Sequence, residues 1–286
     1  MVWAVNQQIA RGKRTRIWGG ALLCLLFLML ATPKIPRSSK NHIFADMRNF
    51  LGVPNTLNVI TNFPFLVVGV LGFVLSLQGN FFNISFPGEV WGWALFYAGI
   101  TGVAFGSAYY HMKPDESRVM WDTLPMMIAY SSLYSSFIVE RVSQRIGLSS
   151  LCTLLLVAFL SAAYGRAYND LRLCMAFQLI PSIAIPGMTY VFRSQYTHAR
   201  YWLFAAGAHV LAKFEGVADK KIYYVNRYLI SGHSLEHLCL AMVPVLLSVM
   251  LMYRRMKVQR LLFCRSILDC YLQLRRSLGI FLVLTY

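Results

Sequence analysis

The chain has 286 residues, of which 57% are hydrophobic and 13% are charged, and its formal net charge is +16. A soluble domain carries about twice this charged fraction, and disorder requires low hydrophobicity, so both classes are excluded. The basic residues lie singly or in pairs between long uncharged runs, as they do beside membrane spans, which argues against a nucleic-acid partner. The composition therefore predicts an integral membrane protein.

Residues 1–45 are predicted to form a basic N-terminal tail that carries a short apolar segment. Four basic residues precede the apolar run 17–31, which is the pattern of a signal peptide or of an uncleaved signal anchor. No clear small-residue cleavage motif occurs around Ala31, so the pattern favours the anchor.

Seven further uncharged segments are candidates for membrane spans, because a bilayer core of about 30 Å needs roughly 20 apolar residues per helix. The predicted spans are 57–78, 90–112, 123–139, 147–165, 173–192, 201–212 and 228–253. The sixth is short enough to be a re-entrant or buried segment, and it crosses only if Arg200 and Lys213 extend outward. We expect an all-α membrane protein, a seven-transmembrane helix bundle over residues 46–253, followed by a basic amphipathic tail over 254–286.

Ionisable residues inside spans are costly and usually mark function, so the few that occur here are candidate site residues. Ser107 and His111 lie at the end of the second span, Asp122 at the start of the third, and His233 and His237 at the start of the seventh. In a seven-span bundle these three span ends lie at the same membrane face. We therefore expect the residues at one depth.

The two histidines of the seventh span are four residues apart, so they project one turn apart from one helix face and can reach a single metal ion. Together with His111 they offer three neutral nitrogens, and a water completes the open tetrahedral arrangement of a catalytic zinc. Asp122 is suited to accept the proton of that water or to fix the water by a hydrogen bond. Ser107 can donate to the oxyanion that forms when a carbonyl is attacked.

Residues 233–237 also spell H-x-x-E-H, the inverted zincin signature in which Glu236 would be the general base. That signature needs a downstream Glu ligand, and the only later acidic residue is Asp269. Six cysteines without C-x-x-C spacing predict neither a disulfide framework nor a thiolate metal site. Other polar residues are expected to be helix-end, loop or interfacial groups, namely Glu236, Asp170, Asn169, His42, His198 and His209.

The motifs S-x-x-x-H at Ser107 and His111, Asp122 eleven residues later, and H-x-x-x-H at His233 and His237 resemble those of the alkaline ceramidase family. This family belongs to a larger group of seven-span membrane hydrolases that includes the adiponectin and progestin receptors. The resemblance covers roughly residues 46–253, including the run N-T-L-N-V-I-T-N before the first span.

The resemblance implies that the three histidines bind zinc, that Asp122 activates the water and that Ser107 steadies the tetrahedral intermediate. The reaction would be hydrolysis of a ceramide amide to a sphingoid base and a fatty acid, with the lipid substrate and the bilayer as partners. Two alternatives stay open: a related receptor whose metal is structural, and a lipid-remodelling hydrolase that acts on an ester.

Members of the family also carry an acidic, Trp-containing cluster before the first span that holds calcium. Here Asp46 is present, but Met47 and Arg48 follow it, and the position near which an acidic residue is expected is Asn55. Calcium takes six to eight oxygen ligands, usually with carboxylate charge. We expect any calcium site at Asp46 and Asn55 to be incomplete.

The loop charges do not decide the orientation, because the positive-inside rule gives eight basic residues on each face. The basic residues before the N-terminal apolar segment favour a cytoplasmic start and hence a lumenal site. We expect the endoplasmic reticulum or Golgi. The oligomeric state is not predicted.

Overall fold

The computed structural model describes residues 29–36 and 43–257. Most of the predicted N-terminal apolar segment, His42 and the tail beyond residue 257 lie outside the described residues. The predictions made for them are therefore neither supported nor opposed by the structure.

The described residues are helical and contain no β-strand beyond two isolated bridges. The helices are α1 (Thr56–Ile60), α2 (Phe63–Gln78), α3 (Pro87–Met112), α4 (Val119–Arg141), α5 (Gln144–Tyr168), α6 (Arg172–Ala176), a π-helical turn (Ile180–Ala184), α7 (Ile185–Val191), α8 (Tyr201–Val217), α9 (Asp219–Val225) and α10 (Gly232–Tyr253). Each of the seven predicted spans overlaps a helical segment, so the predicted all-α class is confirmed.

Four helical stretches of the described chain are long and apolar enough to cross a membrane. They are Thr56–Gln78, Gln144–Tyr168, Arg172–Val191 and Gly232–Tyr253. Helices α3 and α4 have 26 and 23 residues but a more mixed composition, with a row of buried serines on α4, and α8 has 17 residues. The count of seven spans stays a prediction.

Helices α2, α3 and α4 pack side by side, and α10 packs against both α2 and α8. The π-helical turn contacts α4 and α8, which closes the ring. In this arrangement the end of α3, the start of α4 and the start of α10 lie together.

The α3–α4 contact is very close at Gly106. A Cβ at this position would collide with the backbone carbonyl of Trp121, so only glycine lets the two backbones approach this far. Ser107 follows Gly106 on α3 and Asp122 follows Trp121 on α4. The missing side chain therefore brings these two polar residues together.

Candidate metal centre

Three histidines from two distant parts of the chain meet at this end of the bundle. The candidate ligand atoms of His111, His233 and His237 all lie within 4.8 Å of one another. The Nε2 atoms of His111 and His233 are 3.2 Å apart. His111 and His237 are buried and His233 is partly exposed, so a metal held here would be largely shielded from water.

Hydrogen bonds on the far side of two rings fix which nitrogen faces the centre. The Thr61 hydroxyl donates to the Leu57 carbonyl at 2.8 Å, so its oxygen is free to accept from His237 Nδ1 at 3.0 Å. Glu236 Oε2 lies 3.0 Å from His233 Nδ1 and accepts in the same way. Both histidines are thus left with an unprotonated Nε2, the form in which imidazole binds metals.

The third histidine has no such support among the described residues. His111 Nδ1 is buried without a hydrogen-bond partner there, while its Nε2 faces His233. A buried polar atom without a partner is costly, and unpaired nitrogens that converge are best satisfied by a shared cation. The donor set of three neutral imidazoles is the one that zinc takes in open sites.

The polar run before α2 holds both histidine-bearing helices in place. Asn55 Nδ2 donates to the His111 carbonyl at 2.8 Å, and the Ser234 hydroxyl donates to Asn58 Oδ1 at 2.6 Å. Thr61 supports His237, as described above. The sequence signal was a polar residue at every third position, 55, 58 and 61, and its role was not inferred.

Phe44 covers one side of the centre. Its ring stacks on His233 at 4.7 Å between centroids and meets the ring of His111 edge-on at 4.6 Å. The segment is held by Asp219, whose carboxylate accepts from the backbone N–H of Ala45 and of His233, each at 2.8 Å. This contact also fixes the start of α10.

Ser107 and Asp122 line the same cavity as His233 and His237, and its volume is about 200 Å³. The side chains of Ser107 and Asp122 are close enough to interact. A metal-binding group, a carboxylate and a hydroxyl are thus assembled around one enclosed space. This is the set of groups that hydrolysis of a carbonyl compound needs.

A larger groove of about 670 Å³ adjoins the cavity, and the two share Gln178, Lys213 and Glu236. Much of the groove wall is apolar and includes Met29 and Leu179. Its size and character suit a lipid chain rather than a small polar molecule.

A family model described as Ceramidase matches residues 52–261, which is well over half of the chain. The chain belongs to the ceramidase family. This confirms the resemblance, and the matched range contains the three histidines, Ser107 and Asp122. Comparison with curated proteins finds no match. Family membership makes the chain a hydrolase by relationship and suggests ceramide hydrolysis in a membrane context.

The calcium site known from the alkaline ceramidases does not fit the contacts of this ceramidase-family chain. Both oxygens of Asp46 are engaged by Arg48, with Nε 2.8 Å from Oδ1 and Nη2 2.7 Å from Oδ2. Burial alone would raise the pKa of Asp46, but the hydrogen bonds and charge of Arg48 outweigh it and hold that pKa below its ordinary value. Asn55 donates its amide to His111 instead. Calcium remains a prediction of the resemblance that these contacts do not favour.

Two polar residues differ from the sequence-based expectation. His209 was expected at the interface, but it is fully buried, with Tyr130 Oη and Ser182 Oγ each 2.9 Å from its ring nitrogens. Glu236 was expected to be a helix-end polar group. It is in the first turn of α10, but it is buried between His233 and Lys213. Sequence spacing does not reveal these environments, because Tyr130, Ser182 and Lys213 come from other elements of the fold.

Proposed function

We propose that this chain is a zinc-dependent hydrolase that cleaves the amide bond of ceramide or phytoceramide within the membrane. The products are a sphingoid base and a free fatty acid. The observation that carries the proposal is a cluster of three histidine nitrogens beside a cavity that two of the histidines line together with Asp122 and Ser107, in a chain of the ceramidase family.

His111, His233 and His237 would hold the metal through neutral nitrogens. Bound zinc supplies a water of lowered pKa and polarises the amide carbonyl. Asp122 accepts a proton from the attacking water and returns it to the leaving nitrogen, which is general base and then general acid catalysis. The Ser107 hydroxyl, which interacts with Asp122 at rest, turns to donate to the carbonyl oxygen as negative charge develops there.

The adjoining groove gives the lipid a place to lie. An acyl chain in the apolar groove would bring a bond near its polar end to Lys213 and Glu236, where the groove meets the cavity. The enclosed space strengthens the interactions of every charged group in it.

The test is a metal analysis and a lipid assay on the same detergent-purified protein. Wild type should contain one zinc per chain and release fatty acid and sphingoid base from ceramide, both detected by mass spectrometry. His233→Ala should lose both properties, because it removes a ligand. Glu116→Gln is the control, since Glu116 is exposed in the connection between α3 and α4. Full activity in His233→Ala would refute the proposal.

The same assay separates the alternatives. Release of fatty acid only from ester lipids would favour a lipid-remodelling hydrolase. Bound zinc without turnover of any lipid would favour a receptor of the related group.

We propose further that α3, α4 and α8 cross the membrane too, giving seven spans in the endoplasmic reticulum or Golgi with the histidines on the lumenal side. The support is the basic N-terminal tail. The sequon residue Asn83 lies beside Met252 at the far end of α10, about 28 Å from His233 by the helical rise. A glycan on Asn83 would show that the protein has the opposite orientation.

A further inference from the structure

Glu236 joins one candidate metal ligand to a cation on the neighbouring helix. Its Oε2 accepts from His233 Nδ1 at 3.0 Å, and its Oε1 accepts from Lys213 Nζ at 2.6 Å. We propose that Glu236 is a positioning residue that orients His233 for metal binding, while Lys213 moderates the negative charge it presents. The inference rests on the metal centre proposed above.

The helix places the carboxylate correctly for this role. His233 and Glu236 are three residues apart in the first turn of α10, so their side chains lie on one face. Accepting from Nδ1 fixes the tautomer and directs Nε2 toward His111, 3.2 Å away. A carboxylate on the outer nitrogen also makes the imidazole a stronger ligand.

A glycine on α8 makes room for this carboxylate. A Cβ at Gly216 would collide with Glu236 Oε2, so any other residue would push the carboxylate away from His233. A buried carboxylate is costly unless it is paired, and here both of its oxygens are engaged. Lys213 precedes Gly216 by three residues on α8, so one helix face supplies both the space and the cation.

Two other roles for Glu236 lead to different results. As the general base of an inverted zincin it would need an oxygen free to contact water, but each oxygen has a partner. As a purely structural ion pair between α8 and α10, it would depend equally on Glu236 and on Lys213. Replacing either partner would then have the same consequence.

The experiment measures zinc affinity by competition with a chromophoric chelator, using purified protein stripped of metal. Glu236→Gln keeps the shape but removes the charge, and we expect its affinity to fall roughly 10- to 100-fold. Lys213→Met leaves the carboxylate on His233, so its affinity should be no weaker than that of wild type. Glu116→Gln, at an exposed position between α3 and α4, should behave as wild type.

Gly216→Ala provides a second route to the same test, because it displaces the carboxylate while residue 236 stays Glu. It should weaken zinc binding in the same direction as Glu236→Gln. Thermal unfolding of the metal-free protein shows whether Glu236→Gln folds. If it does not fold, Gly216→Ala replaces it in the test.

Equal weakening in Glu236→Gln and Lys213→Met would identify a structural ion pair and overturn the inference. Wild-type affinity in Glu236→Gln and Gly216→Ala would overturn it as well. These failures differ from failure of the proposed function, in which wild type binds zinc tightly but hydrolyses no lipid.

Discussion

Buried polar groups gather at both ends of α10, but the two clusters are built differently. At the start are the histidine nitrogens, Ser107 and Asp122 around a cavity. The second cluster, here called the arginine network, lies at the end of α10 and consists of Glu89, Glu140, Arg141, Tyr196 and Arg254.

In the arginine network the charges face one another. Arg254 is fully buried and lies 3.2 Å from Glu89 and 3.3 Å from Glu140. Tyr196 donates to Glu89 at 2.8 Å, and Arg141 is 3.3 Å from Glu140. Two carboxylates balance two guanidinium groups, which ties the start of α3 to the ends of α4 and α10.

Buried charge alone therefore does not mark a reactive site. What distinguishes the histidine end is an enclosed space together with nitrogens that face one another without an ion pair. We therefore expect changes at the histidine end to alter chemistry at little cost in stability. Changes at the arginine network should lower stability and have little effect on the chemistry.

The largest effect on activity is expected from Asp122→Asn. The amide keeps the shape of the carboxylate but cannot accept the proton, so kcat for ceramide should fall by roughly 10²- to 10⁴-fold. Zinc content should stay at the wild-type level, because the ligand group found in the described part of the chain consists of the three histidines. Asp115→Asn, in the connection between α3 and α4, is the matched control. Loss of zinc in Asp122→Asn would instead make Asp122 a ligand.

The largest effect on stability is expected from Arg254→Ala. Removing one partner of a buried ion pair leaves the other charges uncompensated and costs about 3–5 kcal/mol of unfolding free energy. The neighbouring Arg255 is exposed, so Arg255→Ala should change stability by less than about 0.5 kcal/mol. Chemical unfolding in detergent measures both. An Arg254→Ala protein as stable as wild type would refute the structural role of the network.

The two clusters also differ in how well the sequence predicts them. The histidines were predicted because two four-residue spacings and the span order bring them to one face. No comparable spacing predicts the arginine network, because Glu89, Glu140 and Arg254 come from three distant parts of the chain with no shared motif. From the sequence, Arg254 is assigned to the basic tail 254–286. Such pairings depend on the angles between helices, which hydrophobic periodicity does not specify.

The same limit applies within the metal centre. The ligands and Ser107–Asp122 were predicted as candidates, but the supporting contacts from Thr61, Glu236 and Phe44 were not. Thr61 and Phe44 come from distant parts of the chain that pack beside α10, whereas Glu236 is on α10 itself. Polar side chains of a single sequence indicate which atoms can bind a metal, and the packed structure indicates which atoms orient them.

A smaller effect is expected from Thr61→Val, which keeps the volume and removes the oxygen that accepts from His237 Nδ1. Without that partner the ring loses its preferred tautomer, and zinc affinity should fall by about tenfold, the low end for outer hydrogen-bond partners. Thr101→Val on α3 is the control, because the hydroxyl of Thr101 donates to the Tyr97 carbonyl of its own helix. Chelator competition measures the change in zinc affinity. Equal zinc affinities in the two variants would show that Thr61 does not support the metal centre.

The smallest effect is expected from removing calcium. Arg48 places a fixed positive charge on Asp46 and also donates to the Leu229 carbonyl at 2.8 Å, so it links the segment before α1 to the loop before α10. A ligand that binds only the folded state raises the unfolding midpoint. Adding calcium, or chelating it with EGTA, should therefore leave both the midpoint and ceramide hydrolysis unchanged. A zinc chelator should abolish hydrolysis in the same preparation. A calcium-dependent rise in the midpoint would show that Arg48 does not replace the ion.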